Sequence, residues 1–218
     1  MRGGGTVSPP LLAVHGWGFD AGFWMPVLER LPDFRGDCVD MGFYGRPKRP
    51  KVPRPLILAH SMGLAWALAN IPRPWAGVLA VNAFPRFTRS PNFVDGVPPR
   101  LVERMLARFD EAPRQVTADF LVRCGIESPD TSAIAPEPLK ETLSWLGQCD
   151  ERTTLRMLPC PVLALAGTND PIVPQGMSLA SFAAETLVLA EGAGHLLPLT
   201  HPDWVASQVR LFAARLEA

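Results

Sequence analysis

Ser61 stands in LILAHSMGLAWALA, residues 56 to 69, between an apolar run of strand length and an apolar run of helix length. A hydroxyl on such a strand-to-helix turn is how an acyl-transfer nucleophile is presented. Small residues two places before and after the serine let strand and helix approach, and the first helical turn stabilises developing negative charge. The usual pattern is GxSxG; this stretch offers AxSxG, with Ala59 in the first small position and Gly63 in the second. Serine is a weak nucleophile by itself, so the chemistry also needs a base, an acid to orient that base, and amide donors for the oxyanion.

Two further apolar runs end in suitable side chains. Asp170 closes one in AGTNDPIVP and His195 follows another in EGAGHLLPL, giving the chain order Ser, Asp, His of the α/β-hydrolase fold. The oxyanion donors expected of that arrangement are the amide of Met62, next after the nucleophile, and the amide of Trp17 in HGWG after the first strand. Of the other histidines, His15 reads as a loop-stabilising residue and His60 as part of the pocket lining. His201 sits where the last helix begins, with Thr200 or Asp203 able to satisfy its first turn. Asp40 and Asp150 are the alternative acids. No His, Cys or carboxylate pair stands at ligand spacing beside these residues, so no metal is expected. Cys38, Cys124, Cys149 and Cys160 are scattered without a CxxC and read as idle thiols.

The elements that must position these side chains can be read from the apolar runs. Strands are expected within 11–18, 36–42, 55–59, 75–84, 159–170 and 185–195, with helical patterns between them. Solid apolar strands alternating with helices predict a mostly parallel sheet of about six strands with helices on both faces, a reduced α/β-hydrolase fold in one domain over 1–218. Residues 85–158 hold only proline-punctuated helical pieces, such as PRLVERMLARF and PRQVTADFLVRC, and are expected to form an inserted helical lid. The connection from Gly42 to Pro55 is too rich in proline to hold the usual crossover helix. The 24 prolines imply stiff loops, and a formal net charge of zero gives no general reason to expect nucleic acid or a membrane surface as partner. No apolar run reaches about 18 residues, and MRGGGTVSPP lacks the pattern of a leader, so a soluble, cytoplasmic protein is expected.

At HGWGFDAGFW, MGFYGRP, AHSMG, AGTNDPIVP and GAGHLLPLTHP the chain resembles the pimeloyl-[acyl-carrier protein] methyl ester esterases of biotin synthesis. Similarity extends through AFPRFTRSPNF, VTADFLVRCG and the segment before the fifth strand, roughly residues 11 to 205. The resemblance implies a serine esterase that removes the methyl group from the distal carboxylate of a pimeloyl chain on acyl carrier protein. Ser61, Asp170 and His195 would be the triad, the amides of Trp17 and Met62 the oxyanion hole, and Phe120 a lid residue over the acyl chain, with no metal or organic cofactor. The family usually has Gly-Trp before the serine, where this chain has Ala59 and His60, and the sequence leads one to expect a sheet without two of the family's leading strands and one crossover helix. Family members carry lid arginines that meet the carrier, whereas this chain has no arginine from Gly125 to Glu151.

Two basic features offer a replacement contact. Arg100, Arg104 and Arg108 recur every four residues on one helix face, opposite Leu101, Met105, Leu106 and Phe109. GRPKRPKVPRP supplies Arg46, Lys48, Arg49, Lys51 and Arg54 with no acid among them. An ordinary amphipathic helix and a solvated loop account for the same residues. A general carboxylesterase of small esters, a lyase-type or carbon–carbon hydrolase with the same three residues, and a non-catalytic scaffold are the competing readings.

Overall fold

The computed structural model describes residues 8–217; the start of MRGGGTVSPP, through Val7, lies outside them. Six apolar runs form the strands β1 (Leu11–Val14), β2 (Gly36–Val39), β3 (Leu56–His60), β4 (Gly77–Val81), β5 (Val162–Gly167) and β6 (Leu187–Ala190). They pair in parallel throughout, in the order β2-β1-β3-β4-β5-β6. Successive strand residues face opposite sides of a sheet, and every residue of β1, β3 and β4 is buried, so both faces are covered. The chain leaves β1 in one direction to β2 and in the other to β3. That reversal opens a crevice beyond the carboxyl ends of β1 and β3, the usual ligand position in such sheets.

The helices are α1 (Met25–Leu28), α2 (Met62–Asn70), α3 (Pro99–Phe109), α4 (Pro113–Cys124), α5 (Pro136–Leu146), α6 (Arg152–Arg156), α7 (Gln175–Ser181), α8 (Leu197–Thr200) and α9 (Pro202–Leu216). α2 packs on β1 and β3, α9 on β4 and α7 on β5, while α1, α8 and α9 pack on one another. The run AGFWMPVLERL forms a 3-10 turn, Ala21–Trp24, before the short α1. No helix lies between β2 and β3. Four helices start on a proline, at Pro99, Pro113, Pro136 and Pro202, where a missing N–H costs no hydrogen bond. Part of the proline content therefore starts helices rather than stiffening loops. No helix among the described residues is long and apolar enough to cross a membrane.

α3 to α6 sit between β4 and β5 in sequence, and α3 packs against both α4 and α5. The segment is tied to the sheet side by Ala135 N–H donating to Phe43 O at 2.7 Å and Glu151 N–H donating to Pro85 O at 2.9 Å.

Candidate active site

The turn after β3 forces Ser61 to φ +55° and ψ −127°, a backbone strain that marks a serine lifted out at a strand end. Its N–H donates to Val81 O at 3.1 Å, and its position before α2 places it at that helix's N-terminus. A Cβ at Gly63 would stand 2.6 Å from the carbonyl oxygens of both Val14 and His15, so α2 approaches β1 more closely than any side chain allows. Ala59, in contrast, is fully buried with its methyl accommodated.

Asp170 lies in the turn after β5, its Oδ1 accepting from the N–H groups of Ile172 at 2.8 Å and Val173 at 2.9 Å. Its Oδ2 accepts from His195 Nδ1 at 2.7 Å, with both side chains buried. That bond leaves Nε2 of His195 as the free, buried ring nitrogen, with no hydrogen-bond partner among the described residues. β5 and the His195 loop are held close: a Cβ at Gly167 would fall 2.2 Å from Ala193 O, and Thr168 Oγ1 accepts from Gly192 N–H at 2.8 Å.

Ser61, Met62 and Trp17 line a cavity of about 580 Å³ whose other walls are α3, α4, α5 and the segment before them, with the loop after β5 and the start of α7. Phe84, Val97, Leu101, Met105, Phe120 and Leu143 make much of the helical wall apolar. Trp17 is wedged under it. Its indole donates to Leu139 O at 2.8 Å, and its ring meets the edges of Phe120 and Phe109 at centroid distances of 5.0 and 6.2 Å. Exposed Arg89, Arg104, Arg108 and Arg123 form a cationic rim, with Asp95 and Asp119 among them and Arg108 3.4 Å from Asp119.

Several expected placements differ. His60 does not line the cavity; it is fully buried, stacked on Phe23 at 4.3 Å, and its Nε2 meets His195 O at 3.0 Å. Burial, then the neighbouring His195, holds its pKa well below the ordinary 6.5. The basic connection is absent from the cavity wall: Arg46, Lys51 and Arg54 are exposed elsewhere, Lys48 pairs with Asp37 at 2.6 Å, and Arg49 lies over Trp66 at 5.3 Å. That connection returns along the molecule to the start of β3, away from the strand ends. Arg104 and Arg108 share the cavity with the apolar residues of α3, while Arg100 does not reach it. Neither Thr200 nor Asp203 caps α9; Thr200 bonds His201 and Asp203 pairs with Arg30 at 2.5 Å.

The alternative acids are committed elsewhere. Asp40 Oδ1 accepts from Gly42 N–H at 2.8 Å, and Asp150 binds Arg152 and Arg86, the former chiefly responsible for holding its carboxyl below the usual range. His15 accepts the Met41 N–H at 3.0 Å and braces the loop carrying Trp17. Burial pushes the Cys38 thiol up to about 11 and that of Cys149 up to about 12, unsuited to thiolate chemistry. Among the described residues no group of three or more His, Cys, Asp or Glu is arranged to hold a metal ion.

Sequence reading missed Asn82, which donates to Asp170 Oδ2 at 2.6 Å, and the rim residues Arg89 and Arg123. Asn82 follows β4 directly, as Ser61 follows β3, but the apolar run 75–84 reads as one strand and leaves Asn82 inside it.

Comparison with known proteins places this geometry in context. The model described as "Alpha/beta hydrolase family" matches residues 11–208. A pimeloyl-[acyl-carrier protein] methyl ester esterase of Xanthomonas oryzae pv. oryzae is 28% identical over 95% of this chain and 96% of its own length. Its counterpart in Stenotrophomonas maltophilia is 29% identical over 96% and 94%. Among solved structures, a thermophilic esterase from Thermogutta terrifontis superposes with a TM-score of 0.77 at 22% identity, over 97% of this chain and 92% of that one.

Proposed function

The chain belongs to the alpha/beta hydrolase family, and from that premise we propose that it is a serine carboxylesterase that removes the methyl ester from a pimeloyl chain on acyl carrier protein. The observation that carries this is the conjunction of strained Ser61 in an apolar cavity with a buried His195–Asp170 pair whose Nε2 is uncommitted. The esterases named above, similar along nearly their whole length, support the ester class and the carrier-bound substrate.

The mechanism has two halves. His195 Nε2 takes the Ser61 proton as Oγ attacks the ester carbonyl, and the amides of Trp17 and Met62 receive the oxyanion. The same imidazole then protonates the departing methanol, leaving an acyl-enzyme on Ser61. Water attacks that ester with His195 again as base, and the free carboxylate leaves with Ser61 reprotonated. Asp170 keeps Nδ1 protonated, so that Nε2 is the basic nitrogen, and stabilises the imidazolium formed in each half. Phe120 and its apolar neighbours cover the acyl chain, and the segment 85–158 acts as a lid.

Arg104 and Arg108, with Arg89 and Arg123, give the cavity an electrostatic preference for an anionic carrier. A general esterase of small substrates is the second reading. It is favoured by one observation: the five-charge connection expected to meet a carrier lies off the cavity.

The test compares hydrolysis of methyl pimeloyl carrier protein and of a short p-nitrophenyl ester by the native protein. A kcat/KM at least tenfold higher on the carrier substrate is expected. Equal or lower efficiency on it assigns the general esterase instead.

A further inference from the structure

Asn82 is fully buried after β4 and holds φ +47°, a left-handed conformation that asparagine tolerates better than most residues. Its N–H donates to Leu165 O at 2.8 Å, fixing its backbone between β4 and β5. The side-chain Nδ2 donates 2.6 Å to Asp170 Oδ2 and 2.9 Å to Gly194 O. Both partners are pure acceptors, so the NH₂ end must face them whichever way an amide is drawn. Its Oδ1 is buried without a partner among the described residues, which argues against a side chain placed merely to satisfy its own polar atoms.

The two oxygens of Asp170 are anchored differently. Oδ1 is held by N–H groups of its own turn, at Ile172 and Val173, which fix the carboxylate only to the β5 side. Oδ2 faces the base, which is carried on a loop containing Gly192, at φ +72°, and Gly194. A loop with two glycines has much conformational freedom to lose. The Asn82 amide spans the gap, touching the oxygen that orients the base and the carbonyl next before it. His60 Nε2 holds the following carbonyl, that of His195, at 3.0 Å. Successive carbonyls of the loop are thereby tied to the ends of β4 and β3.

We propose that Asn82 is a positioning residue for ester hydrolysis: its amide fixes Asp170 Oδ2 and the Gly194 carbonyl at one spacing, so that His195 presents Nε2 to Ser61. The role rests on reading Ser61, Asp170 and His195 as the catalytic triad. Asn82 does not touch the ester or move a proton.

The test is Asn82→Gly, which keeps the positive φ and deletes the amide, assayed on a short p-nitrophenyl ester beside native protein and Ser61→Ala. Loss of one hydrogen bond to a charged group predicts a fall in kcat of about ten- to a hundredfold. KM should stay within about twofold, because the cavity wall is untouched. The low-field proton resonance of the His195–Asp170 hydrogen bond, identified by its loss in Asp170→Asn, should shift or broaden in Asn82→Gly. A merely structural asparagine would lower the melting temperature without moving that resonance or separating kcat from KM. Native kcat in Asn82→Gly beside an inactive Ser61→Ala overturns the positioning role and leaves the triad standing; activity retained in Ser61→Ala overturns both. Should Asn82→Gly fail to fold, the native protein supplies the measurement. The Asn82 side-chain amide resonances should move when a fluorophosphonate modifies Ser61, and unmoved resonances overturn the proposal.

Discussion

At the strand ends the Asp170–His195 pair is held by short, buried hydrogen bonds, whereas on α3 to α5 the residues facing the cavity are held by packing and exposed ion pairs. Asp170 receives four donors, from Ile172, Val173, His195 and Asn82, all in buried surroundings. Arg108 meets Asp119 at 3.4 Å with both side chains about half exposed, a pairing worth little in water. Proton transfer fails when its partners drift by a fraction of an ångström, and a rigid sheet suits the triad proposed here. A wall that recognises an acyl chain needs shape and charge more than exact angles. Trp17 joins the two regions: its amide belongs to the proposed oxyanion hole, and its indole is bonded to Leu139 of α5.

If that division is right, substitutions at the strand ends should act on kcat or on folding, and substitutions in the inserted helices on KM. The largest effect is expected from Asp170→Asn. The imidazole then loses its orienting anion, and kcat on a short ester should fall by roughly ten-thousandfold with KM little changed. A fall of less than tenfold breaks the assignment of the acid. Gly63→Val comes next: its side chain meets two backbone carbonyls at 2.6 Å, and urea unfolding should show a loss of roughly 3 kcal/mol or more. Stability near native at this position contradicts the close packing of α2 on β1.

In the inserted helices, reversing charge with Arg104→Glu and Arg108→Glu together should raise KM for the carrier substrate about tenfold and leave the short ester unaffected. An equal effect on both substrates would show that this wall acts on chemistry rather than on selection. The smallest effect concerns pH. His60 and His15 are buried and held below the ordinary imidazole value of 6.5, chiefly by burial in each case. The unfolded chain binds protons there that the folded chain refuses, so their contribution is complete above pH 6.5 and is lost as pH falls below it. Melting temperatures measured from pH 8 to pH 5 should decline below about 6.5, and less steeply in His60→Phe.

Sequence alone carried the sheet further than the inserted helices. β1, β3 and β4 are buried on both faces and so leave unbroken apolar runs, and the polar residues in the turns that follow β3 and β5 stand out against them. Ser61 and Asp170 were legible for that reason. Asn82 was not, because the apolar run 75–84 absorbs it into a strand, and only the folded chain shows its 2.6 Å approach to Asp170. His60 ends a strand beside the nucleophile, and only the sheet and the Ala21–Trp24 turn reveal that it points into the core against Phe23. The rim arginines come from the loop before α3 and from α3 and α4, whose juxtaposition no local periodicity encodes. The short α7 after Asp170 likewise has too few residues for a periodic signal.

Whether Ser61 is the nucleophile of an ester hydrolase is decided by labelling with a fluorophosphonate, followed by intact mass and peptide mapping with ester hydrolysis measured in parallel. A Ser61 nucleophile gives one adduct, on the peptide containing Ser61, accumulating in step with loss of activity and absent from Ser61→Ala. An adduct elsewhere, or full activity with Ser61 modified, would contradict it.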